Sequence, residues 1–497
     1  MRTTFGSFNI ATSGLFASHR SLDTTSHNIS NANTEGYSRQ VTLQRASMPT
    51  YGDPSGVVGT GVETYDIIRM RSAYLDTKYW GQNKTYKEWS IKQEQLANLE
   101  GVFNEPSDTG IRIVMDEFFT ALEELSKKPG DSTCRVNVIE KANMLTTTIN
   151  RNGHELVNSI RDVNFSVKNK VSQVNSLAEQ IANLNKNIFS FELGGNKAND
   201  LRDQRNVLLD ELSSIVNITV TELPGPNNNN YLDVKIGGIT LIDHINYNTL
   251  TTQDEDINYD SDSPPNYLGT TELGGGKISK VVWEGVDNQE VRIESGELKG
   301  LLDIRDGDGV EFNYRGIPYY LKKLNEFAKG FTEAFNAQHN QGVDLEGNQG
   351  ENFFVDDGSV NCISFKVNPD IVTDPNTIAA SSQFDGESNN DNVEFLIKLR
   401  EYKGMFTSLT GTPDDFVKSL LSALAVDSSQ ATRMATNSQA LVDQTYNSRL
   451  SESGVLLDEE IANMIKFQQA YNASARMITT LDAILDTTVN RLGLVGR

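Results

Sequence analysis

The sequence predicts a mainly α protein: elongated, multi-domain, with a discontinuous helical bundle or coiled-coil core drawn from both chain ends and an inserted β-rich domain. Three observations carry this prediction. Large residues recur every seven positions near the start (Phe8, Leu15, Leu22, Ile29) and near the end (Met464, Tyr471, Ile478, Leu485, Leu492), which is the spacing of a helix seam. Around residue 215 this repeat gives way to Val- and Ile-rich alternation, the pattern of strands, and around residue 297 helical spacing returns. At 497 residues the chain exceeds a single core, since a domain averages about 100–200 residues.

The elements follow in order. Residues 1–36 give an N-terminal helix and turn, in which Ala11, Ser18 and Thr25 form a small-residue row beside the large one. Small residues let a neighbour approach closely. Asn28, Asn31 and Asn33, followed by Gly36, mark the helix end, because Asn and Gly tolerate left-handed backbone. Residues 37–75 read as an extended segment with a hairpin or long loop that buries little by itself. Residues 76–215 form a helical bundle domain, with stops at Pro106 and Pro129-Gly130. Its longest stretch, about 133–189, repeats by seven through Ile160, Val167, Val174, Ile181 and Ile188, with Val163, Leu177 and Leu184 as partner row and Lys170 as its one break.

Residues 216–295 are the β-rich insert, with loops at Pro224 to Asn230 and 253–277. Residues 296–341 return to helix through Leu298, Leu301, Leu302, Leu321, Leu324, Phe327, Phe331 and Phe335. Residues 342–390 are assigned to β and loop packing with the insert, and 391–452 to further bundle helices. Residues 453–497 hold the last helix, with Phe467, Ser474, Leu481 and Thr488 beside its seam. Asp458, Glu459 and Glu460 sit in its first turn, where exposed amides favour negative charge, and Gly493 is placed as its C-cap. Two such stripes at the extreme ends need covering surfaces, because burying each large apolar side chain contributes about 1.5–3 kcal/mol and an isolated helix collects none of it.

Composition narrows the function. Lys plus Arg is 44 against 67 Asp plus Glu, a formal charge of −23, which argues against nucleic-acid binding. Assembly against this like-charge repulsion requires specific packing. The two cysteines, Cys134 and Cys362, are too far apart in sequence to suggest a disulfide scaffold or metal knuckle. No continuous apolar h-region follows Arg2, and no run approaches the ~18–20 apolar residues that span a bilayer, so composition alone gives a cytoplasmic protein without membrane contact.

Two segments carry a resemblance. One is Asn28-Ile29-Ser30-Asn31-Ala32-Asn33-Thr34-Glu35-Gly36-Tyr37-Ser38-Arg39-Gln40. The other is Ser453-Gly454-Val455-Leu456-Leu457-Asp458-Glu459-Glu460-Ile461, continuing through Phe467-Gln468-Gln469-Ala470-Tyr471-Asn472-Ala473-Ser474-Ala475-Arg476. Together they resemble the hook-associated protein 1 family of first hook–filament junction proteins, within the rod, hook and hook-associated axial proteins of the bacterial flagellum. The resemblance is close at both ends and weak in the β insert. Glu35 stands where the family usually has proline, and Leu456 where it has asparagine.

The resemblance implies that the chain ends pair as coaxial helices lining an axial channel and stay disordered before assembly. It implies export through the flagellar type III apparatus without a cleaved signal, hence an extracellular place at the hook–filament junction rather than the cytoplasm. It implies as partners further copies of the chain, the hook protein, the second junction protein and a cytoplasmic export chaperone on the C-terminal segment. Residue by residue, Asn31, Asn33, Thr34, Gly36 and Tyr37 match the first motif, and Asp458, Glu459, Glu460, Gln468, Gln469, Tyr471 and Ala475 the second. The two glutamines suit a lateral hydrogen-bonded contact. Met464, Tyr471, Ile478 and Leu485 suit a seam facing the first helix.

No catalytic constellation, cofactor or metal site is read from the sequence. His19, His27, His154, His244 and His339 lack ligand spacing. Gly274-Gly275-Gly276-Lys277 lacks the first glycine and the closing Ser or Thr of a phosphate loop. The acidic groups Asp254, Glu255, Asp256, Asp260, Asp262 and Asp303, Asp306, Asp308 lack the full calcium loop with its closing Glu, and read as solvated loops. A structural, non-enzymatic subunit is therefore expected. The alternatives are a surface-exposed adhesion or binding module carried by the β insert, and an enzyme on that insert.

Overall fold

The protein is described by a computed structural model covering residues 6–51, 57–103, 110–224, 230–256, 277–285, 289–310, 313–358, 360–383, 389–408 and 410–491. Helix far outweighs strand among the described residues, so the fold is mainly α. In chain order the elements begin α1 (Gly6–Ser30), β1 (Gln40–Ala46), β2 (Thr50–Tyr51), β3 (Val57–Val58), β4 (Val62–Arg69), α2 (Ala73–Phe103), α3 (Ile111–Lys127), α4 (Ser132–Glu192) and α5 (Asn199–Ile215). The insert supplies β5 (Ile218–Pro224), β6 (Asn230–Ile236), β7 (Ile239–Asp243), β8 (Asn246–Tyr247), β9 (Leu250–Asp256) and β10 (Lys277–Trp283). Then come α6 (Glu297–Asp306), α7 (Ile317–His339), α8 (Pro369–Thr373), α9 (Asp391–Lys398), α10 (Pro413–Ser453) and α11 (Leu457–Asp486). Two compact units result: Met1–Lys84, Val174–Thr249 and Gln439–Arg497 form the first, and Thr85–Gln173 with Leu250–Ser438 the second.

In the first unit, β1 and β4 pair antiparallel, Gln40 opposite Arg69 through Ala46 opposite Val62, with a register shift at Leu43/Gln44. This hairpin lies on α1, with its own residues half-buried or exposed. Strands β5-β6-β7-β8 form an antiparallel sheet in sequence order. Leu232, Val234 and Ile236 of β6 are all buried, the every-second-residue pattern of a strand with one covered face. Val174, Ile181 and Ile188 of α4 are buried in the same unit.

In the second unit the core is phenylalanine-rich. Phe118, Phe119, Phe327, Phe331, Phe335, Phe353, Phe354 and Phe365 are all fully buried. Their rings meet edge-on, tilted or stacked, with Phe331 5.7 Å from Phe327, 5.8 Å from Phe354 and 6.1 Å from Phe335. Lys170, the break in the α4 repeat, pairs with Glu297 in the first turn of α6 at 2.6 Å.

Several expectations are corrected here. Residues 342–390 hold isolated bridges among the described residues, such as Val343 with Ser381 and Phe354 with Val367, rather than strands. Polar side chains take the backbone bonds a ladder would use. Asp344 accepts from Glu346 and Asn348, and Asn336 from Phe354. Helices α6 and α7 are set apart by tight turns at Gly307 and Gly316, where a Cβ would meet backbone oxygens at 2.3 and 2.4 Å. Asp254, Glu255 and Asp256 lie in β9, paired with β10, instead of a loop. Asp254 faces Lys168 and Ser279. Asp303 is engaged by Lys92 and Lys299, and Asp306 by Arg305. Pro106, residues 225–229, Asp260, Asp262, the glycines 274–276, Leu492 and Gly493 lie outside the described residues.

His339 makes this core sensitive to acid. Its Nδ1 donates to Glu351 O at 2.6 Å and its Nε2 accepts from the Ala379 N–H at 3.0 Å, so the neutral ring is matched at both nitrogens. A second ring proton would face a donor. Burial, with Arg135 nearby, pushes its pKa from 6.5 down to about 4. The unfolded chain then takes the proton first. The neutral ring's contribution is whole above the unfolded pKa of about 6.5 and is lost as pH falls towards 4, by about 3 kcal/mol in all. Denaturant unfolding followed by the buried Trp283 should show this loss, and His339→Gln should flatten it. An equal slope in both proteins would refute the assignment.

Candidate assembly site at the paired chain ends

Helices α1 and α11 pack side by side in opposite directions. Gly14 lies against Ser474, the His19 ring is 6.2 Å from that of Tyr471, and Asn28 bonds Glu460. Position rises along α1 as it falls along α11, which fixes the pair as antiparallel. Gly14 permits the approach, since a Cβ there would come within 3.2 Å of the Ser474 hydroxyl.

Phe8, Leu15, Leu22 and Ile29 are half-buried, and so are Met464, Phe467, Tyr471, Ile478, Leu481 and Leu485. The deeply buried residues of α1 are instead small or polar: Ala11, Ala17, Ser18, Ser21, Thr24, Thr25 and Asn28. The hairpin reaches part of this row, with Gln44 donating to Ser21 and Thr42 to Thr24. Ser18, Ser21 and Thr24 also bond carbonyls four residues back, so their hydroxyls are satisfied inside the helix.

Glu460 is the only residue of α11 that is buried. It joins three parts of the first unit. Asn28 Nδ2 donates to one carboxylate oxygen at 3.0 Å, and Arg39 Nε to the other at 2.7 Å. Arg39 also pairs with Glu459 at 3.3 Å and donates its backbone N–H to Ser453 O. Asn28 is the hub. Its amide also exchanges bonds with the Gln40 backbone, donating to the carbonyl and accepting from the N–H, both at 2.9 Å. Its oxygen accepts the Tyr37 hydroxyl as well, at 2.8 Å, so all four amide positions are used. Burial, then Asp200, Asp203 and Glu460, hold the Tyr37 phenol above its usual range, which keeps it a neutral donor.

The remaining motif residues are placed as follows. Gly36 takes a left-handed φ of +75°, but Asn31 and Asn33 do not; His244 is the one non-glycine residue with positive φ among the described residues. Asn31 instead caps α1, donating to His27 O, and accepts from Thr34. Asn33, Thr34, Asp458, Glu459, Gln468 and Gln469 are exposed, and Ala475 lies half-buried beside the seam. Leu456 occupies the N-cap of α11 with no side-chain bond to its amides. A missing cap costs about 1 kcal/mol. Asn28 and Arg39, the residues that bind Glu460, stand inside the quoted motif. Sequence reasoning treated that stretch as turn chemistry and missed their part.

The comparisons with known proteins fit this geometry. The family described as "Flagellar hook-associated protein FlgK helical domain" matches residues 96–354. "Flagella basal body rod protein" matches residues 8–37, and "Flagellar basal body rod FlgEFG protein C-terminal" residues 446–492. "Flagellar hook-associated protein 1" of Bacillus subtilis (strain 168) is 31% identical over 515 positions, covering 100% of both chains. The chain belongs to the flagellar hook-associated protein 1 family. The hook-associated protein 1 of Salmonella typhimurium is 25% identical, over 97% of this chain and 99% of its own. In fold, this family member is similar to the flagellar hook junction protein FlgK from Burkholderia pseudomallei, with a TM-score of 0.62 at 15% identity over 77% of this chain and 100% of that one. The two rod-type matches fall on α1 with its turn and on α11, the elements that pair.

Proposed function

We propose that this chain is a structural, non-enzymatic subunit of the bacterial flagellum that joins hook to filament by coaxial packing of its terminal helices. The carrying observation is the α1/α11 pair, whose apolar stripe is only half covered. Ile461, Ile465, Met477 and Ile484 add exposed apolar surface on α11 outside that stripe. A helix left this way gains about 25 cal/mol per Å² of apolar surface when another subunit covers it. The expected partners are further copies of the chain, the hook protein, the second junction protein and an export chaperone on the C-terminal segment. Its place is the extracellular hook–filament junction, reached without a cleaved signal. Among the described residues no helix is long and apolar enough to cross a membrane.

The seam residues Phe8, Leu15, Leu22, Ile29, Met464, Phe467, Tyr471, Ile478, Leu481 and Leu485 are the proposed assembly surface. Ile478→Asp tests it. In the free chain the half-exposed carboxylate stays hydrated and both units remain folded. In the assembled junction an unpaired charge is desolvated, at a cost of about several kcal/mol. Hooks in cells carrying the variant should therefore bear few or no filaments, counted by electron microscopy, while the unfolding midpoints read from Trp80 in the first unit and Trp283 in the second stay put. Normal filament numbers would remove Ile478 from the packing surface.

A further inference from the structure

Helix α5 turns one face towards the chain that leaves α1. Asp200, Asp203 and Val207 are spaced three and four apart and so share that face. Each meets a different residue of the segment 36–40. Gln40 Nε2 donates to Asp200 at 2.6 Å. Ser38, fully buried, donates both its backbone N–H and its hydroxyl to Asp203, one to each carboxylate oxygen, at 2.8 Å. Val207 fills the space beside Gly36, where an added Cβ would come within 2.1 Å of its Cγ2.

The carboxylate of Asp203 is itself held by β4 and the residues after it. Arg69 donates to it at 2.8 Å, and Arg71 lies 3.8 Å away while donating to the Ser38 hydroxyl. Next to it, Asn199 donates to the Ile67 carbonyl, fixing β4 on the same helix. The rod-type match runs over 8–37 and ends one residue before Ser38, whereas all of α5 lies inside the helical-domain match over 96–354. The contacts of α5 with Ser38 and Gln40 begin where the segment shared with rod proteins stops.

We propose that α5 is the seat that sets the register and direction of the terminal helix pair, with Asp203 as its positioning residue. Its consequence for assembly rests on the junction reading above. Asp203 acts through Ser38, Arg69 and, by way of the bonded turn, Arg39 and Glu460.

The test uses the full chain and two readouts. Hydrogen exchange of peptides spanning 36–46 should quicken at least tenfold in Asp203→Ala and in Ser38→Ala. The double variant should be little faster than Asp203→Ala alone, because that variant already removes the hydroxyl bond that Ser38→Ala deletes. Unfolding followed by Trp283 should not change. In cells lacking their own copy, both single variants should leave several-fold fewer hooks carrying filaments than the wild-type chain. Unchanged exchange, or effects that add in the double variant, would overturn the seat. Faster exchange with normal filament numbers would overturn its positioning role. If Asp203→Ala does not fold, Ser38→Ala decides alone, since it deletes only a hydroxyl. A wild-type chain that leaves hooks bare would count against the junction reading, and exchange at 36–46 would still decide the seat.

Discussion

Phe331→Ala is expected to lower the stability of the second unit by about 3–5 kcal/mol, a large share of the 5–15 kcal/mol that holds a typical domain together. Phe331 is fully buried, and its ring has aromatic neighbours on several sides: Phe118, Phe119, Phe327, Phe335, Phe354 and Phe365. Truncation removes the transfer free energy of the ring and leaves a cavity whose walls are rigid rings that collapse poorly. The lost aromatic pairs are included in that figure and place it towards the upper end. The control is Phe165→Ala on α4, where the ring is 66% exposed and the expected change is within about 0.5 kcal/mol. Denaturant unfolding read from Trp283 compares them. Equal midpoints for the two variants would mean that Phe331 is not central to this core.

That cluster also shows how far the sequence could be read. Phe327, Phe331 and Phe335 recur every four residues, and local spacing alone places them on one helix face. Phe353, Phe354 and Phe365 carry no period that separates strand from loop, and β-type composition suggested a ladder. They are in fact side chains inserted from irregular backbone into a helical core, a long-range outcome that no window of local pattern contains. The α4 repeat was legible for the opposite reason, since Ile160, Val167, Val174, Ile181 and Ile188 all sit on one continuously buried stripe.

The terminal pair was legible in part. The seven-residue spacing marked an apolar stripe on each of α1 and α11, and the stripe residues are half-buried. It did not reveal that α1 is covered on a second side by the hairpin, so Ala17, Ser21 and Thr24 were unremarkable in sequence and Asn28 was read as a helix-end residue, yet all four are buried in the fold. Glu460 was read as a first-turn acid and a motif residue, with no buried partner assigned. Its burial depends on Arg39, 421 residues away in the chain. The same holds for Ser38 and Asp203, 165 residues apart.

Glu460→Ala should release the start of α11 from α1 and the turn. Glu460 is 2% exposed and carries a charge with two donors on it, Asn28 and Arg39. Removing one member of a buried pair costs about 3–5 kcal/mol when the other is left uncompensated. Here the loss is expected at about 2–3 kcal/mol, because Arg39 is 24% exposed and keeps Glu459 at 3.3 Å, so part of its charge is still answered. Asn28 keeps its Gln40 bonds but loses one acceptor for its NH₂. Glu460→Gln preserves shape and one acceptor oxygen, so it should cost less, about 1–2 kcal/mol. Hydrogen exchange over residues 457–467 measures this directly. The order expected is wild type slowest, Gln intermediate, Ala fastest, with the seam half-covered in all three and too weak to hold α11 by itself. If Ala and wild type exchange alike, the seam and not this carboxylate anchors the helix, and α11 would then be held along its length instead of at one end.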